Sequence, residues 1–292
     1  MASTVAGHRR VFGSDTVPGC YEDLDSADLI VLVGSNTAWC HPVVWQRIEA
    51  ARATRGTKLV VIDPRRTETA ECADLHLAIA PDSDVALFNG LLLEMQATWR
   101  LDGRFMADRV EVPKGFWKDL PRIDTAKVCG ISAADLQSFY DLFAAHPRTV
   151  TLFSQGANQS VAGTDKGNAI INLHLATGRI GKPGAGPFSI TGQPNAMGGR
   201  EVGGLASTLA AHMGFSDAER DRARRFWRSP TICTGPGLKA VDLFEAMETD
   251  PKIAKRVAGL RDKGVRFLIC RKTLEAREID WRTHHVAYVL NL

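Results

Sequence analysis

The chain has 292 residues, 45% hydrophobic and 24% charged, with a formal net charge of +3 at pH 7. That balance describes a folded globular protein and excludes a disordered one, and so small a positive excess argues against nucleic acid as a partner. No apolar run reaches the roughly 20 residues a helical membrane span needs, and the opening residues lack the cationic-then-apolar order of a secretory signal, so the expectation is a cytoplasmic protein with no membrane partner.

The first clear element is Asp28-Leu-Ile-Val-Leu-Val-Gly34. Its unbroken run of branched apolar residues predicts a strand buried on both faces, as in parallel sheets. A polar loop follows to His41. Pro42 suits the first turn of a helix that runs to Arg55 and stops at Gly56. Lys58 to Asp63, closed by Pro64, predicts a second buried strand. Strand, loop, helix and strand within about 36 residues make a right-handed βαβ unit.

Ala73–Ala80 predicts a short strand, and Asp82–Trp99 an amphipathic helix with Asp82, Ser83 and Asp84 at its start. Ser132–Ala145 predicts a helix with Ser132 as its N-cap, and Thr149–Ser154 another buried strand. Gln155–Thr164 reads as a polar loop, and a helix from Asp165 to about Thr177 ends at Gly178. Four strands interleaved with helices predict an α/β fold, a doubly wound and mostly parallel sheet with helices on both faces. Gly178–Gly204 is rich in glycine with three prolines and little periodicity, and reads as a long functional loop. A helix from Val202 to about Gly214 and a charged stretch, Asp217–Arg228, follow. The expected division is a cofactor-binding α/β domain over 1–204 and a partial, helical and irregular second domain over 205–292. Within the latter, residues 252–292 hold ten Lys/Arg against four acids.

Six cysteines, at 20, 40, 72, 129, 233 and 270, are widely spaced and never form Cys-x-x-Cys. That excludes a disulfide scaffold and any compact zinc or iron–sulfur site built by these residues, so no metal ligand is assigned.

In open α/β sheets ligands bind outside the carboxyl ends of the strands, at the point where strand order reverses. The distinctive loops here all follow strands. Gly34 permits close backbone approach ahead of a helix N-terminus, but the loop is not Gly-x-Gly-x-x-Gly. Asp63 can accept from a ribose or a base, with Arg65 and Arg66 for phosphate oxygens; a solvated charged turn explains the same residues. Asp82, Ser83 and Asp84 have an ordinary helix cap as their bland explanation. Gln155, Asn158 and Gln159 carry amides suited to a heterocycle. The most specific string is Gly192-Gln-Pro-Asn-Ala-Met-Gly-Gly-Arg-Glu201, in which Arg200 suits a small planar oxyanion, or else pairs with Glu201 at the surface.

Together these strings resemble the molybdopterin oxidoreductase superfamily of the dimethyl-sulfoxide-reductase type, in particular its bacterial assimilatory nitrate reductases. The matching stretches are Ala6–His8 with Phe12–Leu24, Val33–Pro42, Asp63–Asp74, Ser154–Gln159 and Thr191–Gly203, within a similarity that ends near Glu248. The resemblance implies a bis(molybdopterin guanine dinucleotide) molybdenum cofactor. It places around that cofactor Val33, Gly34, Ser35, Asn36, Thr37, Ala38, Trp39 and Cys40, then Ile62, Asp63, Pro64, Arg65 and Arg66. Asp82, Ser83, Asp84, Gln155, Gly156, Asn158, Gln159, Gln193, Asn195, Met197 and Gly198 complete the set. Arg200 matches an arginine near the metal, where it would position nitrate for oxygen-atom transfer and offset charge on the departing oxygen. Nitrate is then the substrate, and a donor protein or domain supplies electrons.

The departures matter as well. The family's [4Fe–4S] cysteines have no counterpart in this chain, and its molybdenum-ligating cysteine sits in an Asn-Ser-Arg-Leu-Cys-Met string whose methionine corresponds to Met1. The C-terminal domain that completes the second pterin site is also missing. The expectation is therefore a fragment of a nitrate reductase, inactive alone. A non-catalytic cofactor-binding or chaperone-like subunit remains open, as does an NAD-linked dehydrogenase, against which the missing Gly-x-Gly-x-x-Gly counts.

Overall fold

A computed structural model of the chain describes residues 2–191, 195–203, 205–210, 212–263, 268–270 and 288–290. The chain forms two compact units, Met1–Gly198 and Gly199–Leu292.

The first unit is built on five parallel strands: β1 (Leu29–Val33), β2 (Lys58–Ile62), β3 (Leu75–Leu77), β4 (Thr149–Phe153) and β5 (Gly186–Ser189). Their spatial order is β3-β2-β1-β4-β5. The chain starts at the centre, winds out to β3, then crosses back to lay β4 against the other side of β1. Strand order therefore reverses between β1 and β4, as in a doubly wound sheet.

All five residues of β1 are buried, because helices cover both faces. Leu29, Val31 and Val33 point to one side, where Phe88, Phe139 and Ile170 come from the helices Asp84–Ala97, Ala133–Ala145 and Gly163–Ala176. Ile30 and Leu32 point to the other, packing with Leu24 of the helix Glu22–Ser26 and with Trp45 and Ile48 of the helix Pro42–Arg55. Each large apolar side chain buried this way contributes roughly 1.5–3 kcal/mol. The helix Pro42–Arg55 ends where expected, on Gly56 in the left-handed region (φ 72°). Ser132 caps Ala133–Ala145 by accepting from the Asp135 N–H at 3.0 Å.

Several local expectations are corrected. The supposed loop Gly178–Gly204 contains β5 and the short helix Ala196–Glu201. β5 escapes pattern reading because Gly186-Pro187-Phe188-Ser189 has no strand-like alternation. Among the described residues it is an edge strand, paired with β4 alone, where a proline is tolerated. Gln155–Asn158 is a helical turn rather than loop, and Ala2–Phe12 forms a helix that periodicity did not single out. The helix beginning at Asp82 starts instead at Asp84 and ends at Ala97. In place of the helix expected from Val202 to about Gly214, the described residues of that stretch form turns and a bridge between Ala210 and Met213.

In the second unit, the charged stretch is the helix Asp217–Trp227, started by a capping box in which the Ser216 N–H donates to Glu219 Oε2 at 3.1 Å. The helices Ala240–Thr249 and Pro251–Asp262 follow, with the parallel pair β6 (Leu268–Cys270) and β7 (Tyr288–Leu290). No helix among the described residues is long and apolar enough to cross a membrane.

Candidate functional site

A cleft of about 940 Å³ lies outside the carboxyl ends of the strands in the first unit. It is walled by the segments that follow β1, β2, β3 and β4. Its volume falls at the upper end of the roughly 300–1,000 Å³ typical of ligand sites, which suits an extended ligand better than a small anion.

At the reversal point two turns meet backbone to backbone. The Gly156 N–H donates to the Gly34 carbonyl at 2.9 Å. Gly34 has φ +54°, and a Cβ there would lie 2.6 Å from the Ala157 nitrogen. Only glycine meets both demands.

Beyond Gly34, Ser35, Asn36 and Cys40 line the cleft. Asn36 Oδ1 accepts from Thr69 Oγ1 at 2.8 Å, which ties the loop to the segment after β2. Ile62, Asp63, Pro64 and Arg65 line the next wall. The buried Asp63 carboxylate accepts from the Arg65 N–H at 2.9 Å, and its carbonyl accepts from His76 Nε2 at 2.8 Å, which sets that imidazole's tautomer. Gln155, Gly156, Asn158 and Gln159 form the β4 side.

Asp82 and Asp84 also line the cleft. Neither they nor Ser83 caps the helix through its side chain: Ser83 Oγ turns back to the Ala80 carbonyl at 2.7 Å. Both carboxylates instead accept from Lys166 Nζ, each at 2.8 Å. Lys166 is 2% exposed. Burial penalises its ammonium, but the hydrogen bonds and charges of Asp82 and Asp84 outweigh that and raise its pKa above the ordinary lysine value.

Several buried polar atoms at the cleft have no partner among the described residues: both ring nitrogens of His41, Gln155 Oε1 and Asn158 Nδ2. Buried polar groups are normally satisfied, so these four atoms stand out as hydrogen-bonding capacity open to a ligand.

Other expected residues lie elsewhere. Val33 is inside β1, Thr37 is buried against Ser35, and Ala38 packs beside the apolar layer under β1. Trp39 is 69% exposed and donates to Glu68, and Arg66 is exposed. Asn195 is exposed with φ +49° and accepts from the Gly198 N–H at 3.2 Å. Gln193 lies outside the described residues. Met197 and Arg200 are placed by their backbone in the helix Ala196–Glu201, and their side chains are outside the description. Among the described residues, no group of three or more His, Cys, Asp or Glu is arranged to hold a metal ion.

Lys166, His41 and Ser3 also line the cleft, though sequence reasoning did not single them out. Lys166 had a visible signal, a lone lysine entering the apolar run Asn168-Ala-Ile-Ile-Asn-Leu. Ser3 had none, because the helix that carries it reaches the cleft only through tertiary packing.

The model of the family described as Molybdopterin oxidoreductase matches residues 2–276. This chain belongs to the molybdopterin oxidoreductase family. The family match continues past Glu248, where the string-by-string resemblance ends. The chain is 51% identical over 249 residues to a nitrate reductase of Klebsiella oxytoca, covering 85% of this chain and 28% of that protein. It is 50% identical over 252 residues to a nitrate reductase of Shewanella frigidimarina, covering 85% and 27%. The chain thus spans little more than a quarter of the length of these relatives. Among solved structures, acetylene hydratase from Pelobacter acetylenicus matches with a TM-score of 0.54 and 19% identity, covering 85% of this chain and 36% of that one. That likeness shows a shared fold.

Proposed function

We propose that this chain is the part of a molybdenum nitrate reductase that holds one arm of a bis(molybdopterin guanine dinucleotide) cofactor. The observation that carries the reading is a dinucleotide-sized cleft at the strand-order reversal of a chain 51% identical to a nitrate reductase. The residues present fit the group. The Gly34–Gly156 contact brings the turns after β1 and β4 together at the cleft with no room for a Cβ between them, and His41, Gln155 and Asn158 supply buried polar atoms without a partner among the described residues.

On this reading Asn36, Asp63, Asp82 and Gln159 bind the nucleotide end, while Gly34, Gly156 and Asn158 hold the ligand against the ends of β1 and β4. When bound, the cofactor supplies a molybdenum centre that takes an oxygen atom from nitrate and leaves nitrite. Arg200 positions the anion through a planar guanidinium fork and offsets charge on the departing oxygen. Electrons reach the site from a separate donor protein or domain. The reaction takes place in the cytoplasm, a placement supported by cysteines 20, 40, 72, 129 and 233, which form no disulfide among the described residues.

A chimera tests this. Residues 1–248 of this chain replace the matching segment of the Klebsiella oxytoca enzyme, and molybdenum per chain and nitrate-dependent nitrite formation are measured on one preparation. Both are expected to be retained. Loss of molybdenum would refute the cofactor role, and stoichiometric molybdenum without nitrite would refute the nitrate assignment. In the active chimera, Arg200→Ala should keep molybdenum while cutting turnover by about 100-fold, since losing one charged donor costs on the order of 2–4 kcal/mol of transition-state stabilisation.

A further inference from the structure

We propose that Lys166 is a positioning residue that staples the segment after β3 to the start of the helix Gly163–Ala176, fixing Asp82 at the cleft as an acceptor for the N–H and O–H donors of a nucleoside. The inference deepens the dinucleotide reading and rests on it for the identity of the ligand.

Four observations carry it. Lys166 is nearly fully buried, yet its ammonium meets two carboxylates at 2.8 Å each and no other acceptor among the described residues. A buried lysine is retained at a cost in desolvation, so its place needs a reason beyond filling space. Asp82 has φ +68°, a left-handed conformation uncommon for non-glycine residues, and its side chain is held there by the bond to Lys166. Its side chain stays 67% exposed; Oδ1 is on Lys166, and Oδ2 has no partner among the described residues.

The charges assign the ligand's polarity. Asp63 on the next wall is paired with Arg65, while Asp82 and Asp84 against Lys166 leave the wall after β3 with a net charge of −1. Such a wall repels phosphate and accepts donors, so it takes the nucleoside end of the ligand. Independently, Asn158 across the same cleft is 1% exposed with Nδ2 unpartnered among the described residues, which marks the space between them as a ligand site.

The test uses the purified full chain, with GDP as the probe, and two variants. In Lys166→Met, hydrogen exchange at the amides of residues 80–86 should speed up at least 10-fold while β1 and β4 keep their protection, and GDP affinity should fall at least 10-fold. Lys166→Arg, which keeps the charge and can bridge both carboxylates, should recover most of both and keeps the test valid if the methionine variant does not fold. Unchanged exchange at 80–86, or exchange raised uniformly across the sheet, would overturn the positioning role. If the unsubstituted chain does not bind GDP, the dinucleotide reading fails; the exchange measurement then still decides whether Lys166 holds the segment.

Discussion

Two buried side chains illustrate what single residues contribute, one at the cleft and one to the pH dependence of stability. Thr4, on the helix Ala2–Phe12, donates to Asn158 Oδ1 at 2.5 Å and accepts from Ser189 Oγ at 3.1 Å. That relay orients the Asn158 amide with its NH₂ group unpartnered among the described residues. Thr4→Val should cost about 1–2 kcal/mol in denaturant unfolding, the usual price of a lost buried hydrogen bond, and Thr4→Ser should recover most of it. A valine variant as stable as the parent would show that the bond contributes nothing. His174 presents the opposite case, a buried group that refuses a proton. Burial, and then the nearby Arg179 charge, push its pKa down to about 3 from 6.5. Below about pH 6.5 the unfolded chain takes up a proton that the folded chain does not, so stability falls as pH drops toward 3. From pH 7 to pH 5 this one group removes about 2 kcal/mol. His174→Gln, which can still reach Thr151 Oγ1, should flatten that slope in urea titrations at the two pH values; an unaltered slope would exclude His174 as its source.

At the scale of elements, the decisive contact is the crossing of the turns after β1 and β4. Gly34→Ala introduces a Cβ 2.6 Å from backbone and strains a residue at φ +54°. The expected loss is about 3 kcal/mol or more. Gly56 has a similar backbone, φ +72°, but open space around it. Gly56→Ala should therefore cost only about 1 kcal/mol, the conformational part alone. Equal midpoint shifts for the two variants would mean that the turns after β1 and β4 can separate without penalty. Much of this level was legible in advance. The apolar runs at Leu29–Val33, Lys58–Ile62 and Thr149–Phe153 announced buried strands because helices on both faces leave no polar side to display. β5 was hidden, because an edge strand containing Pro187 is held by pairing with β4 and not by its own pattern.

On the scale of the whole molecule, every residue lining the cleft belongs to the unit Met1–Gly198. A chain ending at residue 198 should therefore fold and bind GDP within about twofold of the full chain, measured by calorimetry. A much weaker affinity would place part of the binding energy in the second unit. The family match extends well into that second unit, to residue 276, so membership is a property of the chain as a whole.

By itself the sequence determined the βαβ alternation, the doubly wound class, the family, and the loops that gather around the cleft. These are carried by short-range signals: apolar runs, turn residues and contiguous strings. Tertiary structure alone decided what those loops meet. Lys166 lies 84 positions from Asp82, and Thr4 lies 154 from Asn158, separations over which no local pattern predicts a partner. Asp82 and Asp84 looked like a helix cap, since a capping carboxylate and one reaching for a distant ammonium look alike in sequence. Which of the two it is depends on whether folding buries a cation beside it, and here it buries Lys166.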